Sequence, residues 1–450
     1  MRKNIWMGVI VACLVCASAQ AQVVEPNAPP SLPPPQAIVE WLAANAAPID
    51  VKQHLPAGPE AAAIDSITSG ARVIGLGESN HGNREPLAYR NRLIRYLVER
   101  RELTAVALES GFAESRQLYD YVLGGPGDPA ALLDTGLTHG FGNLRENLEL
   151  ITWLRAWNAQ HSGRPVRLYG IDRSTIQSAP PGVRRRSVVL DHVARYLERT
   201  IPRASAPARI ELMRFADRFT ENDYQGYAAE DRTLLDRTLA TIQAMFVTHR
   251  SEMIRRSGAD DFAWAQREAY DAARLPELFR IWNVDGSDLG KLIQVIEVRD
   301  QAMADHVLWA LRREGPRGRV LLFQANGHVT KAPMIGSVMR NFARQPILTG
   351  IALRRALGGK YRTIATVSSR GREASDDASG SLDRAFAAAR RSPSLLSLRQ
   401  GRPSGWWRKV QSASQGDTRL DDFAPARAFD GLLYFDRLTP VTPLRPRTTP

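Results

Sequence analysis

Glu78 and His81 stand three residues apart in "RVIGLGESNHGNRE", residues 72–85, where an apolar run gives way to glycines. A carboxylate beside an imidazole can move a proton or hold a metal, and this pair has company. The run "TAVALES" delivers Glu109, "VRLYGID" delivers Asp172, and "RVLLFQANGH" delivers Asn326 and His328. Two histidines and three acids therefore close four apolar runs. His139, in the Gly-rich stretch "TGLTHGFGN", is expected to reach the same place.

The spacing Glu78-x-x-His81 allows two metal ligands on one helical face, with Glu109 and His328 to complete a set. The plainer readings are a solvent-facing loop for His81 and a turn after Asn326-Gly327 for His328. "GLGESN" starts like a dinucleotide-binding loop, but Asn80 stands where the third glycine belongs, so no nucleotide cofactor is expected. No G-x-S-x-G elbow occurs, which removes the usual serine hydrolase. The remaining histidines, His54, His161, His192, His249 and His306, read as solvated surface residues.

Chemistry at the ends of apolar runs implies strands that aim polar groups at a cleft. "ARVIGLG", "TAVALES", "VRLYGID", "RVLLFQA", "ILTGIAL", "YRTIATV" and "GLLYFD" read as strands, several apolar at consecutive positions as in strands buried on both faces. Helical stretches 86–101 and 144–160 separate the early ones, which is the rhythm of a mainly parallel sheet flanked by helices. From about Arg184 to Trp282 the pattern is helical only, and residues 184–290 are read as a helical subdomain inserted in an α/β domain spanning 37–438. Ligands of such sheets bind outside the carboxyl ends of the strands.

The flanks differ in kind. Residues 1–21 carry Arg2 and Lys3, an apolar run and the small-x-small pattern Ala19-Gln20-Ala21, and are expected to be a secretory signal cut after Ala21. A transmembrane anchor, for which the apolar run is short, and a lipoprotein signal ending at Cys13 are the alternatives. Residues 22–36 form a Pro-rich spacer, and 439–450 read as a disordered tail. Both cysteines, Cys13 and Cys16, fall in the signal, so the mature chain would have no disulfide, thiol nucleophile or cysteine-ligated metal. Loss of Arg2 and Lys3 takes the net charge from +13 to +11. The basic residues are interspersed with acids and form no aromatic-interleaved block, so nucleic acid is not the expected partner; peripheral attraction to anionic membrane surfaces is.

Eight blocks in order, "IGLGESNHGNREP", "AVALESGF", "LYDYVLGG", "ITWLRAWN", "LYGID", "RDQAMADHVLW", "NGHVTK" and "FDGLLYFDRLTP", resemble the erythromycin esterase family. The likeness runs over most of residues 65–438 and is weakest in the inserted helices. The resemblance implies an α/β fold and hydrolysis of a carboxylic ester or macrolide lactone, as in antibiotic resistance, without metal or other cofactor. It also implies that His81 is the general base acting on water and that Glu78, Arg90, Glu109 and His328 complete the catalytic set. An imidazole with an intrinsic pKa near 6.5 suits that task, and Glu78 or Glu109 could fix its tautomer. Arg90 and His328 are the candidate oxyanion donors. His139, Asp172, Gln324 and Asn326 are expected to line the substrate site. The family often reads H-N-x-H where this chain has Gln324-Ala325-Asn326-Gly327-His328, and Gln324 cannot shuttle a proton. The signal segment is a second departure and points to a periplasmic or secreted protein. A metal-dependent envelope hydrolase and a non-catalytic envelope binding protein are the competing functions.

Overall fold

The computed structural model describes residues 34–173, 186–282, 288–335, 342–370, 381–399, 405–414 and 420–445. The expected signal and most of the Pro-rich spacer lie outside the described residues. The described residues form ten strands: β1 (Ala47–Pro48), β2 (Val73–Glu78), β3 (Ala105–Gly111), β4 (Arg167–Asp172), β5 (Val320–Ala325), β6 (Tyr361–Arg370), β7 (Ser394–Ser397), β8 (Gln411–Ser414), β9 (Leu420–Phe423) and β10 (Gly431–Arg437). Eight of them form one sheet in the order β1-β7-β10-β6-β2-β5-β3-β4. The six from β10 to β4 are parallel, while β7 and β1 close one edge antiparallel. The fold is thus α/β with a mainly parallel central sheet, as the alternating pattern predicts.

Consecutive apolar residues in these strands serve two helix layers, because side chains alternate across a sheet. Val73, Ala105, Ala107, Val320 and Leu322 pack with Met303, Val307 and Leu353 on one face. Ile74, Leu76, Val106, Leu108, Leu321 and Phe323 pack with Leu93, Leu97, Leu150 and Leu154 on the other. Helices Arg84–Arg101 and Arg145–Gln160 cover this second face, each starting within two residues of the predicted position. Helix Leu289–Arg313 covers the first.

Between β4 and β5 the chain forms helices Val188–Thr200, Pro202–Met213, Glu221–Gln225, Ala229–Thr248 and Arg250–Ile281, the last interrupted at Gly258. They enclose their own core of Val189, Leu197, Leu212, Leu239, Phe246 and Phe279, and Ala113, just past the end of β3, belongs to it. The helical region therefore stands at the carboxyl end of the sheet.

Two expectations are corrected, and two edge strands are added. "ILTGIAL" is not a strand: Thr349–Leu357 is a helix, its start tied to Asp300, which accepts from Thr349 N and Oγ1 at 2.7 Å each. A short apolar run fits either element, and here the tertiary hydrogen bonds decide. The edge strands β1 and β7, too short and mixed to announce themselves, went unread. The tail is laid down at least to Arg445: Arg84 N donates to Thr439 O at 2.9 Å, Val441 N to Gly82 O at 3.1 Å and Leu444 N to Asn143 O at 3.1 Å.

The glycines of "GLGE" serve packing. A methyl on Gly77 would meet Asn326 Oδ1 and, at 2.8 Å, Val329 Cγ2, because the turn of helix Asn326–Val329 presses on β2 there. Gly77→Ala is expected to lower the free energy of unfolding by about 1–3 kcal/mol, the usual cost of overpacking, measured by denaturant titration.

Candidate active site

β2 ends on Glu78, which is 1% exposed, and the chain then turns through Gly82, at φ 83°. Asn83 Nδ2 donates to Asn80 O at 3.0 Å and tightens that turn. The turn brings His81 back over the strand end, with Nδ1 2.6 Å from Glu78 Oε1. A carboxylate on Nδ1 selects the tautomer and places acid–base chemistry on Nε2. The His81 side chain retains 15% exposure where its partner has almost none. Phe141 meets the imidazole edge to face, with ring centroids 5.1 Å apart.

Behind this pair lies a buried charge cluster centred on Arg299. Its Nη2 donates to Glu109 Oε1 at 2.9 Å and to Asp172 Oδ2 at 2.7 Å, and its Nε donates to both Asp172 oxygens at 3.1 Å. Glu109 Oε2 accepts from Ala325 N at 2.9 Å, so one carboxylate links β3, β5 and helix Leu289–Arg313. Burial pushes the Glu109 carboxyl up, but His328, Arg299, His81 and His139 together outweigh it and hold the group at about 2. Asp172 behaves alike: burial opposes ionisation, and Arg299 and His139 hold it well below the usual carboxylate range.

Two further histidines complete the cluster. His139 Nε2 is 3.0 Å from Asp172 Oδ2. His328 is fully buried, its Nδ1 2.8 Å from Asp300 Oδ1 and its Nε2 3.5 Å from Glu109 Oε1. Arg299 Nη1 is 3.3 Å from that same Nε2. His306, expected at the surface, is instead buried: it stacks on Phe112 at 4.3 Å with Nδ1 2.7 Å from Ile171 O, next to Asp172. Burial, with Arg267 nearby, holds its pKa far down, so it acts as a neutral brace for the end of β4.

The structure brings Glu78, His81, Glu109, Asp172, His139 and His328 together as the strand ends imply. Three expected members stand elsewhere. Arg90 is 1% exposed and does not face the opening: Nη2 donates to Asn91 Oδ1 at 2.8 Å and to Asn147 Oδ1 at 2.7 Å, and the guanidinium lies 4.9 Å from the Phe323 ring centroid. Burial lowers its pKa to about 10 against the pull of Glu78 and Glu146. Asn147 Nδ2 in turn donates to Phe141 O at 2.8 Å, so Arg90 braces the loop that carries Phe141 and His139. Gln324 is fully buried within β5, its Nε2 3.1 Å from Met303 Sδ, because its place on the strand faces a helix layer. Asn326 staples β5 to β6, donating to Thr366 O at 2.7 Å and accepting from Thr366 N at 3.1 Å.

Sequence reading missed Arg299 and Asp300. Adjacent opposite charges on a helix read as a solvated face; the signal available was the apolar framing by Ile296 and Met303, which marks that face as buried. Among the described residues, no three His, Cys, Asp or Glu side chains gather in a metal-holding group.

The erythromycin esterase profile matches residues 98–438. The chain belongs to the erythromycin esterase family. Glu109 and His328 fall inside the matched segment, whereas Glu78, His81 and Arg90 precede it. Erythromycin esterase type I of Escherichia coli is 26% identical over 284 residues, covering 60% of this chain and 65% of that enzyme. Type II of the same organism is 22% identical over 324 residues, covering 69% and 72%. Among solved structures, a Bacillus cereus protein aligns at TM-score 0.73 and 21% identity, covering 90% of this chain and 98% of its own. An erythromycin esterase mutant in its open conformation aligns at TM-score 0.65 and 17% identity, covering 89% and 99%. These structural likenesses establish the family fold.

Arg299 is the shared cation of two buried carboxylates, so Arg299→Gln is expected to cost about 3–5 kcal/mol of stability, read by denaturant titration. The sign with pH follows from Glu109, whose contribution is complete above its ordinary value of 4.5 and is lost as pH falls toward about 2. In the Arg299→Gln protein Glu109 is held less far below its ordinary value, so its share of the acid loss should shrink, seen as a shallower fall of the thermal midpoint between pH 4.5 and pH 2 from an already lower starting point.

Proposed function

We propose that this protein is an exported ester hydrolase in which His81 activates water. The observation that carries the reading is the 2.6 Å pair of His81 and Glu78, standing at the edge of a buried, pre-ionised cluster. Glu78 fixes the imidazole and stabilises its cation, and His81 Nε2 takes the proton as the water oxygen attacks the ester carbonyl. Water is the nucleophile because the site presents no serine elbow and its carboxylates are committed, Glu78 to His81 and Glu109 to Arg299 and Ala325 N. Arg299 is the cation toward which the developing oxyanion is drawn, and His328 positions its guanidinium. Arg90 contributes by holding the Phe141 loop through Asn147.

The substrate class is a carboxylic ester. A macrolide lactone is the form suggested by the names of the E. coli relatives, and an envelope ester is the form suggested by the expected signal. A basic mature chain suits residence beside anionic envelope surfaces. No helix among the described residues is long and apolar enough to cross a membrane.

Hydrolysis of an ester panel that includes a fourteen-membered macrolide tests the reading. His81→Ala is expected to lower turnover by about 10²- to 10⁴-fold with the fold intact by circular dichroism. A chelator is expected to leave wild-type turnover unchanged. An active His81→Ala protein, or activity lost on chelation and restored by metal, would replace this mechanism.

A further inference from the structure

His139 holds a conformation that needs a reason. Its φ is 60°, in the left-handed region that non-glycine residues occupy only where their surroundings dictate it. Those surroundings are built from two sides. Thr138 is buried and pinned to the end of β3: its N donates to Ser110 Oγ at 2.8 Å, and its Oγ1 accepts from Gly111 N at 3.0 Å. Beyond Gly140, the carbonyl of Phe141 is held by Asn147 and through it by Arg90. The outcome is an imidazole set on Asp172, part-exposed at 14% as His81 is at 15%.

The two histidines flank one ring. Phe141 lies 5.1 Å from His81 and 6.0 Å from His139, centroid to centroid. Each imidazole has its own buried carboxylate, Glu78 in one case and Asp172 in the other. Arg299 holds Asp172 as an anion, so His139 Nε2–H donates to it and Nδ1 is the atom that can exchange a proton with substrate. A site that needs only one base has no use for a second imidazole so equipped.

We propose that His139 is a second acid–base residue of the ester-hydrolase site, the one that protonates the departing alcohol oxygen. This rests on the reading of His81 as base. In the first step water forms a bond to the carbonyl carbon, its proton moves to His81 Nε2, and the carbonyl π pair goes to oxygen. In the second the C=O bond re-forms, the bond to the alcohol oxygen breaks with its electron pair, and that oxygen takes the proton of protonated His139 Nδ1. Proton exchange through solvent from His81 to His139 resets both, so the net change is ester plus water to acid plus alcohol.

The test uses leaving groups that differ in their need for a proton: ethyl butyrate releases a strongly basic alkoxide, whereas p-nitrophenyl butyrate releases a stable phenolate. Asparagine tolerates the left-handed backbone, so His139→Asn keeps the loop, and aryl ester turnover reports that the site is folded. His139→Asn is expected to lower kcat/KM for the ethyl ester about 10²-fold or more and for the aryl ester by no more than about tenfold. His81→Ala is expected to lose both. Equal losses on the two esters in His139→Asn, or no loss on either, would overturn the role of His139 while leaving His81 in place. A wild-type protein that turns over neither ester would overturn the hydrolase reading and this inference with it.

Discussion

Arg299 is the constraint on which the site depends. Its guanidinium lies between Glu109 on β3 and Asp172 on β4, and it also touches His328 beyond β5. Buried carboxylates without such a partner would take up protons, and a protonated acid cannot orient or stabilise an imidazolium. The arginine comes from helix Leu289–Arg313, the first element after the helical region, so packing that helix on the sheet assembles the charge cluster. The core and the site thus form together: Met303 and Val307 bury the same helix whose preceding turn presents Arg299 and Asp300.

Around that cluster each histidine is held by its own buried carboxylate, and it is the imidazoles that differ in exposure. Asp300 fixes His328 at full burial, Asp172 fixes His139 and Glu78 fixes His81 at the rim. His328 is fully buried, while the His139 and His81 side chains keep 14% and 15% exposure. Arg90 belongs to the supporting side, because it reaches the reacting region only through Asn147 and the Phe141 carbonyl.

Much of this was legible in the sequence. Uninterrupted apolar runs such as "VIGLG" and "VLLFQ" announce strands covered on both faces, and polar residues at their carboxyl ends announce a cleft. What escaped was whatever depends on contacts between distant residues. Thr349 begins a helix because Asp300 captures its backbone and hydroxyl. Gln324 and Asn326 share a strand end with His328, but the alternation of the strand turns Gln324 to a helix, and β6, on the far side of β2, claims Asn326. Arg90 carries a charge that suggests a substrate contact, and only the packing around Phe323 shows it buried. Position along the chain indicated which strand ends matter; burial and hydrogen bonding decide which side chains face the opening.

The central claim is that the carboxylates orient and water attacks. A single-turnover reaction in ¹⁸O-water, with enzyme in excess over an ester it hydrolyses, tests this most directly. The account predicts that the acid released in the first turnover carries the label and that no ¹⁸O enters the protein. Unlabelled acid from that first turnover, with ¹⁸O found in Glu78 or Glu109 by peptide mass spectrometry, would contradict it and make a carboxylate the nucleophile.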